Sequence, residues 1–71
     1  MPKLPVVSAR DLIKALSRLG FVIVRQRGSH VFLQRGADTT VVPFHAEVKK
    51  STLKRILKQA NVELEDLLKA L

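Results

Sequence analysis

Apolar residues at Ala9, Leu12, Ile13, Leu16 and Leu19 recur at the three- and four-residue spacing of a helix face, while Arg10, Lys14, Ser17 and Arg18 fall elsewhere. Ser8 precedes this run as an N-cap, Asp11 stands three residues on in the capping-box position, and Gly20 supplies a left-handed stop, so the spacing predicts a first helix ending at Leu19. The period then changes. Phe21 to Gln26 is rich in β-branched residues and predicts a strand; Ser29 to Arg35 and Thr39 to Phe44 predict two more, joined by turns at Arg27, Gly28 and Ser29 and at Gly36, Ala37 and Asp38. Pro43 cannot donate to a ladder, which puts the third strand at a sheet edge or ends its pairing there.

Helical spacing returns with Leu53, Ile56, Leu57 and Ala60, which keep one face and leave Lys54, Arg55 and Lys58 outside it. Ser51 is the expected cap of this second helix, and Asn61, tolerant of the left-handed conformation, its expected end. A short third helix from Glu63 to Ala70 places Leu64, Leu67, Leu68 and Leu71 on one side, with its early acids at the positive end of the helix dipole. The predicted class is α+β: an α-β-β-β-α order plus a short C-terminal helix, with a three-stranded antiparallel sheet. Double-stranded RNA-binding domains have this order.

Length bounds this picture. Residues 1–71 are expected to form a single domain, since 71 residues lie near the lower limit for burying a stabilising core. With no cysteine, neither a disulfide nor a thiolate metal site can assist, so the core must come from the 46% of residues that are hydrophobic. The longest apolar runs, such as Phe21 to Val24, are too short for a membrane span or a signal-peptide core, and the expected location is cytoplasmic.

Charge narrows the partner. The net charge is +7, but Glu63, Glu65 and Asp66 hold half of the acids, so the first 62 residues carry 12 bases against 3 acids, a balance of +9. Such an excess favours a polyanion.

The stretch from Arg25 to Gln34 carries the candidate chemistry. His30, one of two histidines, begins the second predicted strand, and an imidazole can both take and give a proton. Arg25, Arg27 and Arg35 lie near it in sequence as candidate phosphate contacts. Ser29 cannot pair with His30 as a nucleophile, because adjacent strand residues point to opposite faces. His45, Ala46 and Glu47 read as half of a zinc-deaminase signature whose other half requires cysteine, so neither a metal nor any other cofactor is expected. Lys49, Lys50 and Lys54 surround a helix start with free amides, a ready anion site. Phe21, Phe32 and Phe44 are expected in the core rather than as base-stacking platforms.

Three motifs, in this order and spacing, resemble the HicA-type mRNA interferase toxins: Gly28, Ser29, His30; Val42 to His45; and Thr52 to Ala60. The likeness extends to Leu16 through Phe21 and so spans nearly the whole chain. It implies a fold like a double-stranded RNA-binding domain, a ribonuclease that cuts mRNA, and a cognate HicB-type antitoxin. His30 stands where the family has its catalytic histidine, and His45 matches a second recurring one. The chain departs from the family at Ser51 and Asn61, where glycine is usual, and at Glu63, where serine or threonine often stands; these positions concern helix ends.

RNA carries its own nucleophile, the 2′-hydroxyl, so a metal-independent endoribonuclease requires a base, cations for the phosphorane and preferably an acid for the leaving oxygen. His30 is the expected base and His45 a possible second catalytic or phosphate-orienting group, with Arg25, Arg27, Arg35, Lys49, Lys50 and Lys54 binding RNA. The alternative is a non-catalytic double-stranded RNA-binding module dominated by the lysines. The toxin is expected to be monomeric when free and to meet an acidic antitoxin.

Overall fold

A computed structural model describes residues 3–71. Its elements run α1 (Ala9–Arg18), β1 (Val22–Arg27), β2 (His30–Arg35), β3 (Asp38–Pro43), α2 (Lys50–Ala60) and α3 (Leu64–Ala70). The strands form one antiparallel sheet in the order β1-β2-β3, so β2 is central and both β1 and β3 are edges. Pro43, at the last pair of β3, thus lies on an edge as its missing donor requires. Among the described residues no helix is long and apolar enough to cross a membrane.

Side-chain alternation along β2 separates two faces. Val31 and Leu33 are buried, while His30 and Gln34 are exposed and Phe32 is half-buried. Across the ladder Val31 meets Val42 and Leu33 meets Thr40, both buried, so this face packs on the helices. Leu12, Ala15 and Leu16 of α1 and Leu53, Ile56, Leu57 and Ala60 of α2 complete the core, with Phe21 and Leu67. Thr40 is the buried polar member; its hydroxyl lies within donating distance of the Ile56 carbonyl at 3.4 Å and of Gln59 Oε1 at 3.3 Å, which satisfies it. Helices lie against one face only, and the opposite face of the sheet is open.

Both long helices stop in the same way. After α1, the Phe21 amide donates to the Leu16 carbonyl and the Gly20 amide to the Ser17 carbonyl, each at 3.0 Å, the paired bonds of a Schellman motif. After α2, Val62 donates to Leu57 at 3.0 Å and Asn61 to Lys58 at 3.3 Å, with Asn61 at φ 57°. Asparagine thus adopts the left-handed conformation expected of it here. At the other end of α1, Ser8 Oγ accepts from the Asp11 amide at 3.1 Å, as the capping pattern requires.

Two expectations need correction. Ser51 does not cap α2: Lys49 occupies that position without a side-chain hydrogen bond, and Ser51 lies inside the first turn. The helix starts earlier because Val48 is held in an isolated antiparallel bridge to Val7, its amide donating to the Val7 carbonyl at 2.8 Å. Phe44 is not core but 49% exposed, and Phe32 is only half-buried; Phe21 alone of the three is fully buried. Of the C-terminal leucines, Leu67 is buried and Leu64 half-buried, whereas Leu68 and Leu71 are exposed.

Arg35 ties the end of α1 to the sheet. Its guanidinium donates to the Leu19 carbonyl at 2.9 Å, lies 4.7 Å from the centre of the Phe21 ring and reaches Asp38 at 3.9 Å. Gly20, at φ 101°, sits under the stem: a Cβ there would meet Arg35 Cδ at 3.3 Å. Gly20→Ala therefore combines a left-handed backbone penalty of about 1–2 kcal/mol with a displaced arginine. Thermal unfolding followed by circular dichroism is expected to show a midpoint lower by roughly 4–8 °C per kcal/mol lost; an unchanged midpoint would contradict this account of the α1 terminus.

Candidate nucleic-acid interface

The β1–β2 hairpin closes with a two-residue turn, Gly28 and Ser29, between the paired residues Arg27 and His30. Gly28 takes φ 56°, a conformation that suits glycine at the first position of such a turn. A Cβ on Gly28 would meet nothing within 4 Å, so the backbone angle and not crowding selects glycine here. The turn sets His30 as the first residue of β2, exposed on the open face.

Strand pairing then determines its neighbours. His30 has Arg27 directly across on β1 and Pro43 directly across on β3. Directly opposed residues share a face with their Cβ atoms roughly 5 Å apart, so Arg27 and His30 stand side by side on the open face. Arg25 is opposite Phe32, two residues along from His30, and its guanidinium lies 4.5 Å from the centre of that ring. This cation–π contact holds Arg25 over the sheet while the charge remains accessible to solvent. Arg25, Arg27, His30 and Phe32 therefore form one group on the open face.

Other residues singled out from sequence lie elsewhere. Arg35 falls on the helix-side parity of β2 and is engaged by Leu19, Phe21 and Asp38, so it does not join the His30 group. Lys49, Lys50 and Lys54 are exposed on α2, which packs against β3 through its opposite side. No side chain caps α2 and its first turn carries no acid, leaving the amides at this end beside the lysines. Among the described residues, no three His, Asp or Glu side chains gather into a metal-binding group.

His45 lies just beyond β3, in a segment pinned by backbone hydrogen bonds. The Phe44 amide donates to the Ser29 carbonyl at 2.6 Å, bringing this segment to the β1–β2 turn next to His30. The His45 amide donates to the Pro43 carbonyl at 2.9 Å, a γ-turn centred on Phe44, and its carbonyl accepts from the Ala9 amide at 3.0 Å. The γ-turn was not foreseen and explains the exposed ring: continued strand parity from Thr40 and Val42 would send Phe44 into the core, and the turn redirects it. Pro43, which limits the ladder at that point, was the available signal. Phe44, His45 and Ala46 instead line a surface cleft together with Ser8 and Arg10.

The arrangement joins a proton-transfer group to cations on a solvent-accessible surface, with a second cationic group at an uncapped helix start. It can attract a polyanion and present an imidazole to it. Comparison with curated proteins returns no match. A family model described as the HicA toxin of bacterial toxin-antitoxin systems matches residues 9–62, from the start of α1 to the residue after Asn61, and includes both histidines and Lys49, Lys50 and Lys54. With most of its length matched, this chain belongs to the HicA toxin family.

Proposed function

We propose that this toxin is an endoribonuclease that cuts mRNA in the cytoplasm without a metal ion, using His30 as general base. The observation that carries the reading is the position of His30 on the open face, across from Arg27 and beside Arg25. A base at that place can take the proton of a 2′-hydroxyl while the guanidinium groups offset the charge that builds on the attacked phosphate. His45, brought towards the same end of the sheet by the Phe44–Ser29 hydrogen bond, is the second histidine available to orient phosphate or to protonate the leaving oxygen. Lys49, Lys50 and Lys54 bind the RNA backbone at α2, where the open amides of the first turn add to their charge. Membership in a toxin-antitoxin family implies an antitoxin; we propose a HicB-type partner whose acidic surface covers the His30 group.

His30→Ala is expected to keep the fold and most of the RNA affinity, because His30 is exposed and binding rests on lysine and arginine, while cleavage falls by roughly 10²- to 10⁴-fold. Cleavage of a long RNA in excess chelator is the measurement, beside a filter-binding assay. Activity abolished by chelator, or retained in full by His30→Ala, would contradict the mechanism; binding without cleavage by the wild type would identify an RNA-binding module instead.

Phosphate contacts release counterions, so affinity is expected to fall linearly on a logarithmic salt scale. If Lys49 and Lys50 each contact one phosphate of a single strand, replacing both with alanine lowers the magnitude of that slope by about 1.4. Titration of RNA at several salt concentrations tests this, and an unchanged slope would place the binding charges elsewhere.

A further inference from the structure

The cleft lined by Ser8, Arg10, Phe44, His45 and Ala46 measures about 420 Å³ and lies next to the His30 end of the sheet. Its side chains offer a particular combination. Phe44 presents a ring that is 49% exposed, Arg10 supplies a cation, and no carboxylate lines the wall. The Ser8 hydroxyl is already engaged by the Asp11 amide. The backbone that carries the ring is held in place: Phe44 and His45 are fixed by main-chain hydrogen bonds to Ser29, Pro43 and Ala9 at 2.6, 2.9 and 3.0 Å. An aromatic surface exposed by a dedicated turn, carried on a fixed backbone and accompanied by a cation, suits a flat ligand that carries negative charge.

We propose that this cleft is a nucleobase subsite, in which an unpaired base of RNA stacks on Phe44 while Arg10 neutralises the phosphate of the same nucleotide. The inference rests on the reading of this protein as one that acts on RNA, and it adds which form of RNA is taken. Ser29, which accepts from the Phe44 amide, immediately precedes His30, and Pro43 is the cross-strand partner of His30. A nucleotide held in the cleft is therefore close in the strand to the one presented to His30. Stacking on a side chain requires a base released from its neighbours, so the subsite selects single-stranded segments over duplex RNA. It also holds the strand in a splayed form, which frees the 2′-hydroxyl to line up with the adjacent phosphate.

The test uses the His30→Ala protein, so that RNA remains intact, and short single-stranded oligoribonucleotides with 2-aminopurine placed at successive positions. At one position the fluorescence is expected to be quenched on binding, and quenching is expected to vanish in His30→Ala with Phe44→Leu, with affinity lower by roughly tenfold or more, as for loss of one stacked base. Phe44→Tyr is expected to preserve both. Arg10→Ala is expected to weaken binding without removing the quench, and it keeps the test open if the leucine variant fails to fold. Quenching and affinity unchanged by Phe44→Leu, with a weakened antitoxin complex, would overturn the subsite and assign the cleft to the protein partner. Failure of the two readings can be told apart: Phe44-dependent quenching by a protein whose wild type cuts no RNA supports the subsite and removes the nuclease, whereas full-rate cleavage of single strands by Phe44→Leu removes the subsite alone.

Discussion

The register of β2 is the constraint on which the rest of this structure depends. A strand buried on one face has a side-chain period of two, so a slip of one residue would send Val31 and Leu33 to solvent and His30, Phe32 and Gln34 into the helices. Burying a leucine or valine is worth about 1.5–3 kcal/mol, whereas an imidazole or amide placed in that core would lose its water without a partner. The hydrophobic core thus decides where the histidine points. The two-residue turn at Gly28 and Ser29 makes the same choice locally by setting which residues of β1 and β2 face each other.

A chain of this length cannot cover a whole sheet, and the consequence is visible in β1. All six of its residues are exposed, including Val22, Ile23 and Val24, because the helices pack chiefly against β3, at the other edge of the sheet. The strand is held by its ladder to β2, by the Arg25 contact with Phe32 and by the turn that follows α1. An irregularity in register between Ile23 and Arg25 increases the local twist and makes this edge less suited to flat pairing with another chain. What β1 contributes to the open face is charge placed beside His30, and Arg35 performs the complementary task on the other face by fastening β2 to Leu19 and Phe21.

The element order, the sheet topology and both helix terminators were legible in the sequence because each rests on local rules: period, capping and left-handed stops. The place of His30 at the start of the second strand, beside the hairpin turn, was legible for the same reason. What was not legible depended on contacts between distant segments. Ser51 has the chemistry of a cap, but the bridge from Val7 to Val48 starts the helix before it. Arg35 reads as one cation among several until Leu19, Phe21 and Asp38 are seen around it. Phe44 obeys the apolar rule for a core residue, and a single γ-turn reverses its direction. In each case a particular contact outweighed a sound local preference: a backbone bridge at Val48, a cluster of partners around Arg35 and a γ-turn at Phe44.

In the function proposed above, binding and proton transfer fall to different elements, and this follows from what each requires. Lysines act through long, flexible side chains and tolerate exposure on α2, where an acid-free first turn costs the helix the favourable charge it would gain from aspartate or glutamate, on the order of 0.3–1 kcal/mol. A base must be positioned more closely, and a paired central strand fixes His30 in a way a helix terminus would not. The excess of 12 bases over 3 acids in the first 62 residues also repels itself, so any anionic ligand that settles on these groups stabilises the native state by mass action. RNA and an acidic protein would draw on the same charges. Competition between them needs no conformational change in the toxin, because a partner that neutralises Arg25 and Arg27 already covers the ground next to His30.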